Sequence, residues 1–596
     1  MSVKAEIRVT LGIQGPILCK ATAPSAWGID ATFDRDFRGN PYIDRSHLKG
    51  KLREALVDLG KGADFIDKWL GSADSRPGML ILSDFYCADG PAGDTFENRI
   101  TRTRMDRVRG VVDETALVCL ENAFPLRADP YLWTGNIVFT ALDRDEAEDI
   151  YGWVSMALKW VTAVGAEKTA GFGKLVSVKT SLSCEDVRTP VLSSSSGRPD
   201  EWFTLTVRAF DPLVIGGVKR KANYLETETI ITGSIIKGAL AATLNSLCGV
   251  DNPIATPINS ANSRVARMFP VLSEHFSRIR FTHAFPTGND RRPVVIPFSA
   301  VSAGGVCYDV ATSDGPQLVN GIAPVFQIDW KAEDYPVEFG WAVPRTIAKT
   351  RTAVDSTLRR AEDSMMFTYQ YVCPVDSDDN EILWRGLVHI PEEVNSSTLQ
   401  AEVLEAVTRI EYLGKRRSRV EVSIEPGKGL HAQEEGNVPA ADGTVIVLLQ
   451  SDTLMINPDE FRNDQTANNL RMLYERFWME ASDESMSLKR FFAHQRLLGG
   501  YLVRRSGGRY YPFYLTGAGS VFVLESTDVR KSADVVDIWR RRGLPVPAWV
   551  EEKYGGREGL PLWNVCPFIP ENGYAEVMVN LKWHFDKSID TAGGAE

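Results

Sequence analysis

The feature that most constrains the fold is an internal repetition of three sequence blocks, which occur twice in the same order. The paired blocks are PYIDRSHLKGKLREAL from residue 41 and TIITGSIIKGALAATL from residue 229, TRTRMDRVRG from residue 101 and TRTAVDSTLRR from residue 350, and VGAEKTAGFGKLVSV from residue 164 and YLGKRRSRVEVSI from residue 412. Three blocks of comparable chemistry in one order predict two diverged copies of a single domain.

The length of 596 residues is too great for one hydrophobic core, so several domains are expected. Alternating strands begin near residues 4, 201 and 443, and the last two follow segments rich in Ser, Gly, Pro and charge. The sequence therefore predicts domains over 1–185, 201–430 and 443–596, with linkers at 186–200 and 431–442. The third domain is expected to be a more degenerate version of the same pattern.

Each of the first two copies is predicted to follow the order β-α-β-β-α-β, with a basic excursion and a Gly-rich turn. The fold class is therefore α+β, with tandem ferredoxin-like domains. Leucines four residues apart predict the buried face of the first helix of each copy, with Ser46 and Ser234 as the N-caps. Helix packing does not explain Lys49, Lys51 and Arg53, which are expected on the exposed face.

Composition indicates an ordinary globular protein, with 44% apolar and 24% charged residues and a net charge of -11. Such a charge argues against a uniformly basic nucleic-acid coat but allows local basic grooves. The eight cysteines are scattered without a CxxC pair, which favours buried thiols in a reducing compartment. Without a signal peptide or an unbroken apolar span, the expected location is the cytoplasm, with no membrane partner.

Two kinds of segment are suited to nucleic acid. Glycines beside cations allow backbone amides to approach a phosphate, and a tight turn with solvated charges is an equally good reading of the spacing. The excursion from residue 101 alternates cations with Met105 and Val108, as in a hairpin lying along a nucleic-acid backbone, although a charged solvent-facing hairpin would look the same. The cations concerned are Lys168, Lys174, Lys415, Arg416, Arg417 and Arg419 in the turns and Arg102, Arg104, Arg107 and Arg109 in the excursion.

The sequence lacks HExxH, GxSxG and a nucleotide-binding glycine loop, and its seven histidines form no cluster. Any chemistry would therefore rest on carboxylates.

These blocks resemble a known family. GIDATFDRDFRGNPYIDRSHLKGKLREAL from residue 28, TRTRMDRVRG and GAEKTAGFGK are similar to the Cas-seven-like backbone subunits of type III CRISPR-Cas complexes, which belong to the RAMP superfamily. The second copy, with AHQRLLGGYLVRRSGGRYYPFYLTGAGSVFVLE from residue 493, resembles the Cas-five-like subunit of subtype III-D. The resemblance implies a backbone subunit fused to a cap subunit.

The resemblance also implies a function: binding of a CRISPR guide RNA and cleavage of a complementary target RNA within a larger effector complex. It assigns the cleavage to Asp30, with a divalent ion that is expected to be magnesium. It assigns the displacement of a base pair to a thumb hairpin over residues 99–114. Asp34 and Asp36 are reserve candidates for the cleavage, although their position before a Gly-Asn-Pro turn favours a role as turn formers, and Asp44 has no assigned role. The implied guide contacts are Ser46, Lys49, Lys51, Arg53 and Lys168, together with Lys219, Arg220, Lys237 and Arg351 in the second copy.

The second copy has cations where the first has its acidic loop, so one cleavage site per chain is expected, with the second domain holding the 5′ end of the guide. Two alternatives remain at this point. The chain could be a non-catalytic guide-RNA scaffold and 5′-end cap, or a ribonuclease that processes guide precursors.

Overall fold

The computed structural model describes residues 2–589 except residues 23–26, 73–76, 92–97, 104, 106–107, 113–115, 188–199, 217–218, 221–222, 251–252, 254–255, 260, 262, 314–317, 320, 327–337, 355–360, 428–435, 437, 464–465, 500–511 and 556–561. Most of the two predicted linkers therefore lies outside the described residues. Among the residues described, no helix combines the length and apolar character needed to cross a bilayer.

The first domain contains one antiparallel sheet and three helices. Its strands are β1 Val3–Gln14, β2 Tyr42–Ile43, β3 Ile81–Leu82, β4 Phe85–Cys87, β5 Arg99–Arg102, β6 Val118–Glu121, β7 Tyr131–Ala141 and β8 Lys174–Asp186, and its helices are α1 Arg45–Asp58, α2 Ala63–Leu70 and α3 Arg144–Trp160. The sheet order is β2-β4-β7-β1-β8, with β3 also paired to β7. This is the ferredoxin-like order, in which the last strand lies beside the first. Strands β5 and β6 form a separate hairpin.

The core of the first domain follows from the sequence periodicity. Residues of β1 alternate between buried and partly exposed along most of its length, as expected for a sheet with one covered face. Helix α1 buries Leu48, Leu52 and Leu56 as predicted, while Leu59 is partly buried. Phe33 stacks on Trp133 of β7 with ring centroids 5.9 Å apart, which fixes the acidic loop between β1 and α1 to the sheet.

The second domain repeats this plan. Its strands are β9 Trp202–Ala209, β10 Lys219–Arg220, β11 Tyr224–Leu225, β12 Arg280–Phe281, β13 Phe285–Thr287, β14 Ala300–Ala303, β15 Val306–Asp309, β16 Thr346–Val354, β17 Ala361–Val372, β18 Leu383–His389, β19 Tyr412–Leu413 and β20 Ser418–Pro426, and its helices are α4 Gly233–Leu247, α5 Ser263–Met268, α6 Pro270–His275 and α7 Ser397–Thr408. The main sheet has the order β12-β18-β9-β20-β19. A long hairpin of β16 and β17 forms a second sheet with β10 and β11.

The third domain has the same strand order as the first two. Its strands are β21 Thr444–Leu449, β22 Met486–Phe492, β23 Gln495–Leu498, β24 Phe513–Thr516, β25 Val521–Ser526 and β26 Val577–Val579, and its helices are α8 Pro458–Asn463, α9 Ala467–Ala481, α10 Val529–Arg542, α11 Ala548–Val550, α12 Leu562–Val565 and α13 Lys582–Asp586. The sheet order is β22-β25-β21-β26, with helices after its first and third strands. The third domain, which was expected to be a more degenerate version of the pattern, is thus a complete β-α-β-β-α-β unit.

A segment of the second domain covers the back of the third domain's sheet. One face of β21 packs with Trp478 of α9 and Trp539 of α10, whereas the other packs with Val294 and Phe339. Burial on both faces explains why β21 reads TVIVLL without polar alternation. The stretch around β14 and β15 lies within predicted domain 201–430 but shares a core with the third domain.

A buried ion pair closes this contact between the second and third domains. The guanidinium of Arg292 binds the carboxylate of Glu576 through two hydrogen bonds of 2.6 and 3.0 Å, and the two side chains are 7% and 0% exposed. Removing one partner of such a pair leaves an uncompensated buried charge. We expect Arg292→Met to lower the free energy of unfolding by about 3–5 kcal/mol, measured by urea denaturation.

The double variant Arg292→Met/Glu576→Met is the matched control, because it removes both charges together. Its stability should return most of the way to that of the parent. A double variant as unstable as the single one would show that the pair is not the source of the effect.

Candidate nucleic-acid interface

Asp30 lies at the base of the first domain's hairpin, which we call the thumb (β5, β6 and the residues between them). Its backbone N–H donates to Cys119 O at 2.8 Å, and its carboxylate oxygen Oδ2 accepts the N–H of Cys119 at 2.6 Å. The preceding residue, Ile29, is buried, whereas Asp30 itself is exposed. One carboxylate oxygen is thus fixed by the thumb, and Oδ1 faces solvent without a hydrogen-bond partner among the residues described.

The Gly-rich turn after α3 lies beside the same thumb. Glu167 in this turn binds Arg102 of β5 at 2.6 Å and Lys20 at 2.8 Å. Gly173 has φ +63°, and a Cβ there would come within 1.9 Å of Val164 O, so this position requires glycine. Lys168 and Lys174 are both exposed on the turn.

The start of α1 also contacts the Gly-rich turn. The ring nitrogen Nε2 of His47 accepts the N–H of Gly165 at 3.0 Å. Burial lowers the pKa of His47 to about 4, and the charges of Lys168 and Lys51 act in the same direction. A neutral His47 near pH 7 can keep this acceptor role. Asp30, the base of the thumb, the Gly-rich turn and the start of α1 therefore adjoin one another.

The N-cap of α1 is Asp44, so the prediction of Ser46 was wrong. The Asp44 carboxylate accepts the N–H of Ser46 at 2.7 Å, and the exposed Ser46 hydroxyl donates to the same carboxylate. In α4 the cap position is Thr232, not Ser234, and it makes no side-chain capping bond. An aspartate caps as well as a serine does, and the repeat alignment favoured the residue common to both copies.

Asp44 also joins the first domain to the second. Arg351 of β16 donates to its carboxylate through both terminal guanidinium nitrogens, Nη1 and Nη2, with Nη1 3.0 Å from Oδ1. Arg416 lies 3.8 Å away. The Arg351 hydrogen bonds and these two positive charges hold the pKa of Asp44 far below its usual range, against the effect of burial. Arg351, predicted to bind RNA, is thus engaged in an interdomain ion pair.

The same hairpin of the second domain holds the acidic loop of the first. Lys349 of β16 lies 3.1 Å from Asp34 Oδ1, donates to Arg35 O at 3.1 Å and contacts the Tyr42 hydroxyl. Asp34 is therefore an interdomain partner and not the predicted turn former. Asp36 is a turn former, since its carboxylate accepts the N–H groups of Arg38 and Asn40.

The sequence predicted that Lys49, Lys51 and Arg53 lie on the exposed face of α1, but in the structure all three are partly buried. Lys51 binds Glu54 at 2.5 Å, and Arg53 donates to the carbonyls of Leu70 and Gly71. Lys49 is half-buried, and its pKa is lowered to about 8 by burial and by Arg417, Arg53 and Arg416. The amphipathic pattern did not reveal that Lys51 and Arg53 bind groups of the first domain or that Lys49 lies beside Arg416 and Arg417 of the second.

The second domain's basic turn divides into two parts. Arg417 donates to Gly78 O of the first domain at 2.6 Å and, with Arg416, belongs to the interdomain contact. Lys415 and Arg419 remain exposed, with their charged groups over the rings of Tyr369 and Phe210.

Lys237 is not available to RNA in this structure. It is buried in α4 and donates to Ser277 O and Ile279 O at 3.0 and 2.9 Å, and burial lowers its pKa to about 8. Among the thumb cations, Arg102 and Arg109 are exposed, whereas Arg104 and Arg107 lie outside the described residues. Lys219 and Arg220 form β10, and their side chains are likewise not described.

The described residues contain no group of three or more His, Cys, Asp or Glu side chains placed to hold a metal ion. Magnesium commonly binds proteins through only one or two carboxylates, with water and substrate phosphates as the other ligands. The solvent-facing Oδ1 of Asp30 suits such a single contact.

Comparison with known proteins places the chain in a family. A model of the RAMP superfamily matches residues 20–176 and 206–419, so the chain belongs to the RAMP superfamily. The two matches cover the first domain and most of the second, and the third domain lies outside them. A search of curated proteins found no match.

Among solved structures, similar chains come from type III-B Cmr-beta complexes. A chain of the complex bound to cognate target RNA is 16% identical with a TM-score of 0.23, over 30% of this chain and 60% of the other. One bound to cognate target RNA and AMPPnP is 10% identical with a TM-score of 0.28, over 54% and 86%. An apo-state chain is 16% identical with a TM-score of 0.22, over 30% and 96%. The chain thus spans less than two thirds of the first of these.

The interdomain contact contains a carboxyl group that makes stability depend on pH. The Asp84 side chain accepts the N–H of Arg45 at 2.7 Å, and its pKa is raised to about 6 by burial and then by the charge of Asp44. Because the folded state holds this proton more tightly than the unfolded chain, stability falls as the pH rises from about 4 to about 6. We expect Asp84→Asn, which keeps the acceptor, to be more stable than the parent above pH 6, by up to about 2 kcal/mol.

The measurement is urea unfolding of parent and variant at several pH values. The two should coincide near pH 4 and separate between pH 4 and pH 6. An equal difference at every pH would contradict the assignment to the Asp84 carboxyl group.

Proposed function

We propose that this chain is a guide-RNA-binding subunit of a type III CRISPR effector complex and that its first domain cleaves the complementary target RNA. The observation that carries the proposal is the position of Asp30, an exposed carboxylate fixed to the base of a basic hairpin and next to a Gly-rich turn. Membership of the RAMP superfamily supports the RNA-binding part. The motif resemblance supports the finer assignment of a Cas-seven-like subunit fused to a Cas-five-like subunit of subtype III-D.

In this proposal the guide RNA lies along the Gly-rich turn and the start of α1. Lys168 and Lys174 are exposed there, with the backbone amides of a glycine-containing turn between them. The exposed Arg102 and Arg109 would follow the duplex along the thumb. Lys415 and Arg419 would carry the contact onto the second domain. Lys237, whose ammonium group is buried and hydrogen-bonded, is not part of the proposed path.

RNA supplies its own nucleophile in the 2′-OH, which attacks the adjacent phosphorus to form a 2′,3′-cyclic phosphate while the bond from phosphorus to the 5′-oxygen breaks and that oxygen takes up a proton from water. The protein must therefore align the 2′-OH, help to remove its proton and stabilise phosphate charge. In this proposal Asp30 acts as the base through Oδ1, while Oδ2 stays bound to Cys119 N–H. If Oδ1 instead held magnesium, the ion would supply stabilisation of the developing phosphate charge. The proposed partners are the guide RNA, the target RNA and further effector subunits, in the cytoplasm.

The cleavage assignment can be tested with an isosteric substitution. Asp30→Asn keeps an oxygen that can accept the N–H of Cys119 but removes the charge, so the loop should stay in place. In the complex reconstituted on guide RNA, we expect target cleavage to slow by about a hundredfold to ten-thousandfold while guide binding is unchanged. The rates are measured by single-turnover cleavage with and without magnesium.

Asp36→Asn is the matched control, because Asp36 is a partly exposed aspartate of the same loop with a turn-forming role. It should cleave at the parental rate. Undiminished cleavage by Asp30→Asn would instead favour the non-catalytic scaffold. Cleavage of precursor RNA by the isolated chain would favour a processing nuclease.

The RNA path can be tested through salt dependence. Each phosphate neutralised on single-stranded RNA adds about 0.7 to the slope of log affinity against log salt. Lys168→Ala should therefore make the slope for guide binding less steep by about 0.7. Lys489→Ala, which removes an exposed lysine of the third domain, serves as the control and should leave the slope unchanged. Equal slopes for parent and Lys168→Ala would remove Lys168 from the path.

A further inference from the structure

The most exposed aromatic side chain of the described residues lies three positions before Asp30. Trp27 is 95% exposed, whereas most of the tryptophans that the structure describes are buried or partly buried. A fully exposed indole gains none of the burial that normally stabilises it, and its ring is available for stacking.

The backbone around Trp27 is fixed on the side of Asp30. Gly28 adopts φ +77°, a left-handed conformation that glycine accepts readily, and a Cβ there would meet no atom within 4 Å. The next residue, Ile29, is inserted into the core, and Asp30 is held by two hydrogen bonds to Cys119. The turn therefore presents Trp27 to solvent from an anchored base.

Two further apolar side chains lie near Asp30 on the thumb. Leu117 is 62% exposed and Val118 is exposed as well, and they directly precede Cys119, the residue that binds Asp30. Ala31 and Leu120 pair as a parallel bridge, so Trp27 and Leu117 both precede the same bridge in segments that run in the same direction. The exposed carboxylate is thus flanked on both segments by exposed apolar groups.

We propose that Trp27 is a stacking platform for a nucleobase of the target RNA, and that it positions the nucleotide beside the phosphodiester cut at Asp30. The inference rests on the proposed function. Exposed aromatic and apolar groups at the base of the thumb, with the exposed Arg102 on the thumb and Lys168 on the adjoining turn, match the requirements of a single-stranded nucleic acid, whose bases stack while its phosphates are neutralised. Because larger rings stack more strongly, the platform favours a purine over a pyrimidine at this nucleotide.

The platform is tested in the complex assembled on guide RNA with Asp30→Asn, so that the target stays intact. A fluorescent base analogue, 2-aminopurine, is placed at one target position at a time. At the nucleotide beside the cleavage position we expect quenching with Trp27 or Trp27→Phe and recovery of fluorescence with Trp27→Leu. The control Trp563→Leu removes an exposed tryptophan of the third domain and should leave the quenching unchanged.

A second measurement uses the catalytically intact chain. Trp27→Leu should slow target cleavage roughly tenfold, and an abasic nucleotide at the same position should slow the parent similarly. The two changes should not add when combined, because each removes one half of the same stack.

Fluorescence that does not respond to Trp27→Leu at any position, or fully additive effects of the variant and the abasic nucleotide, would overturn the platform. Assembly of each variant complex is checked by size-exclusion chromatography before the fluorescence is read. Loss of assembly in Trp27→Leu would also overturn the platform, because the recovered fluorescence would then report unbound target and Trp27 would be docking a protein subunit. The fluorescence test does not require cleavage, so it separates the platform from the assignment of Asp30 as the cutting residue.

Discussion

The ion pair between Asp44 and Arg351 is the interaction on which the arrangement of the first two domains depends. It joins the N-cap of α1 to the long hairpin of the second domain, residues 307 positions apart in the chain. The same carboxylate caps a helix and accepts hydrogen bonds from two guanidinium nitrogens of Arg351, and Arg416 lies nearby. Partly buried charges are tolerated when they are paired and hydrogen-bonded in this way. The start of α1 is consequently held from both sides.

This contact explains the close alternation of acid and base before α1. The loop supplies Asp34 and Asp44 to the second domain, uses Asp36 for its own turn and leaves Asp30 exposed. Neutralising Asp34 and Asp44 with cations from the second domain also reduces the negative charge next to the proposed RNA path. A phosphate backbone would otherwise meet several carboxylates within one short loop. The contact between the first two domains therefore lowers the negative charge around the proposed site and also fixes the position of its elements.

Local periodicity predicted much of the fold, because strands and helices with one buried face carry that face in their sequence. The leucines of α1 are buried, and the repeated blocks correspond to two domains with the same strand order. Periodicity does not show which other part of the chain packs against a given face. Arg351, Arg416 and Arg417 have the composition of a basic groove, yet they are engaged between domains. Their acceptors lie hundreds of residues away, so no local pattern could distinguish these interdomain contacts from RNA binding.

The second domain differs from the first in what surrounds the loop that the proposal makes catalytic. In the second domain the position equivalent to the acidic loop contains Glu228, which lies 3.7 Å from Arg496 of the third domain and has a pKa raised by burial. Its side chain thus faces a protein cation, whereas Asp30 faces solvent beside the thumb. The hairpin of the second domain is likewise occupied near its base by Asp34 and Asp44 of the first. A ferredoxin-like unit has few surfaces, and in the second domain the loop and the hairpin both hold neighbouring domains. This difference between the two copies supports the proposal of one cutting site per chain, in the first domain.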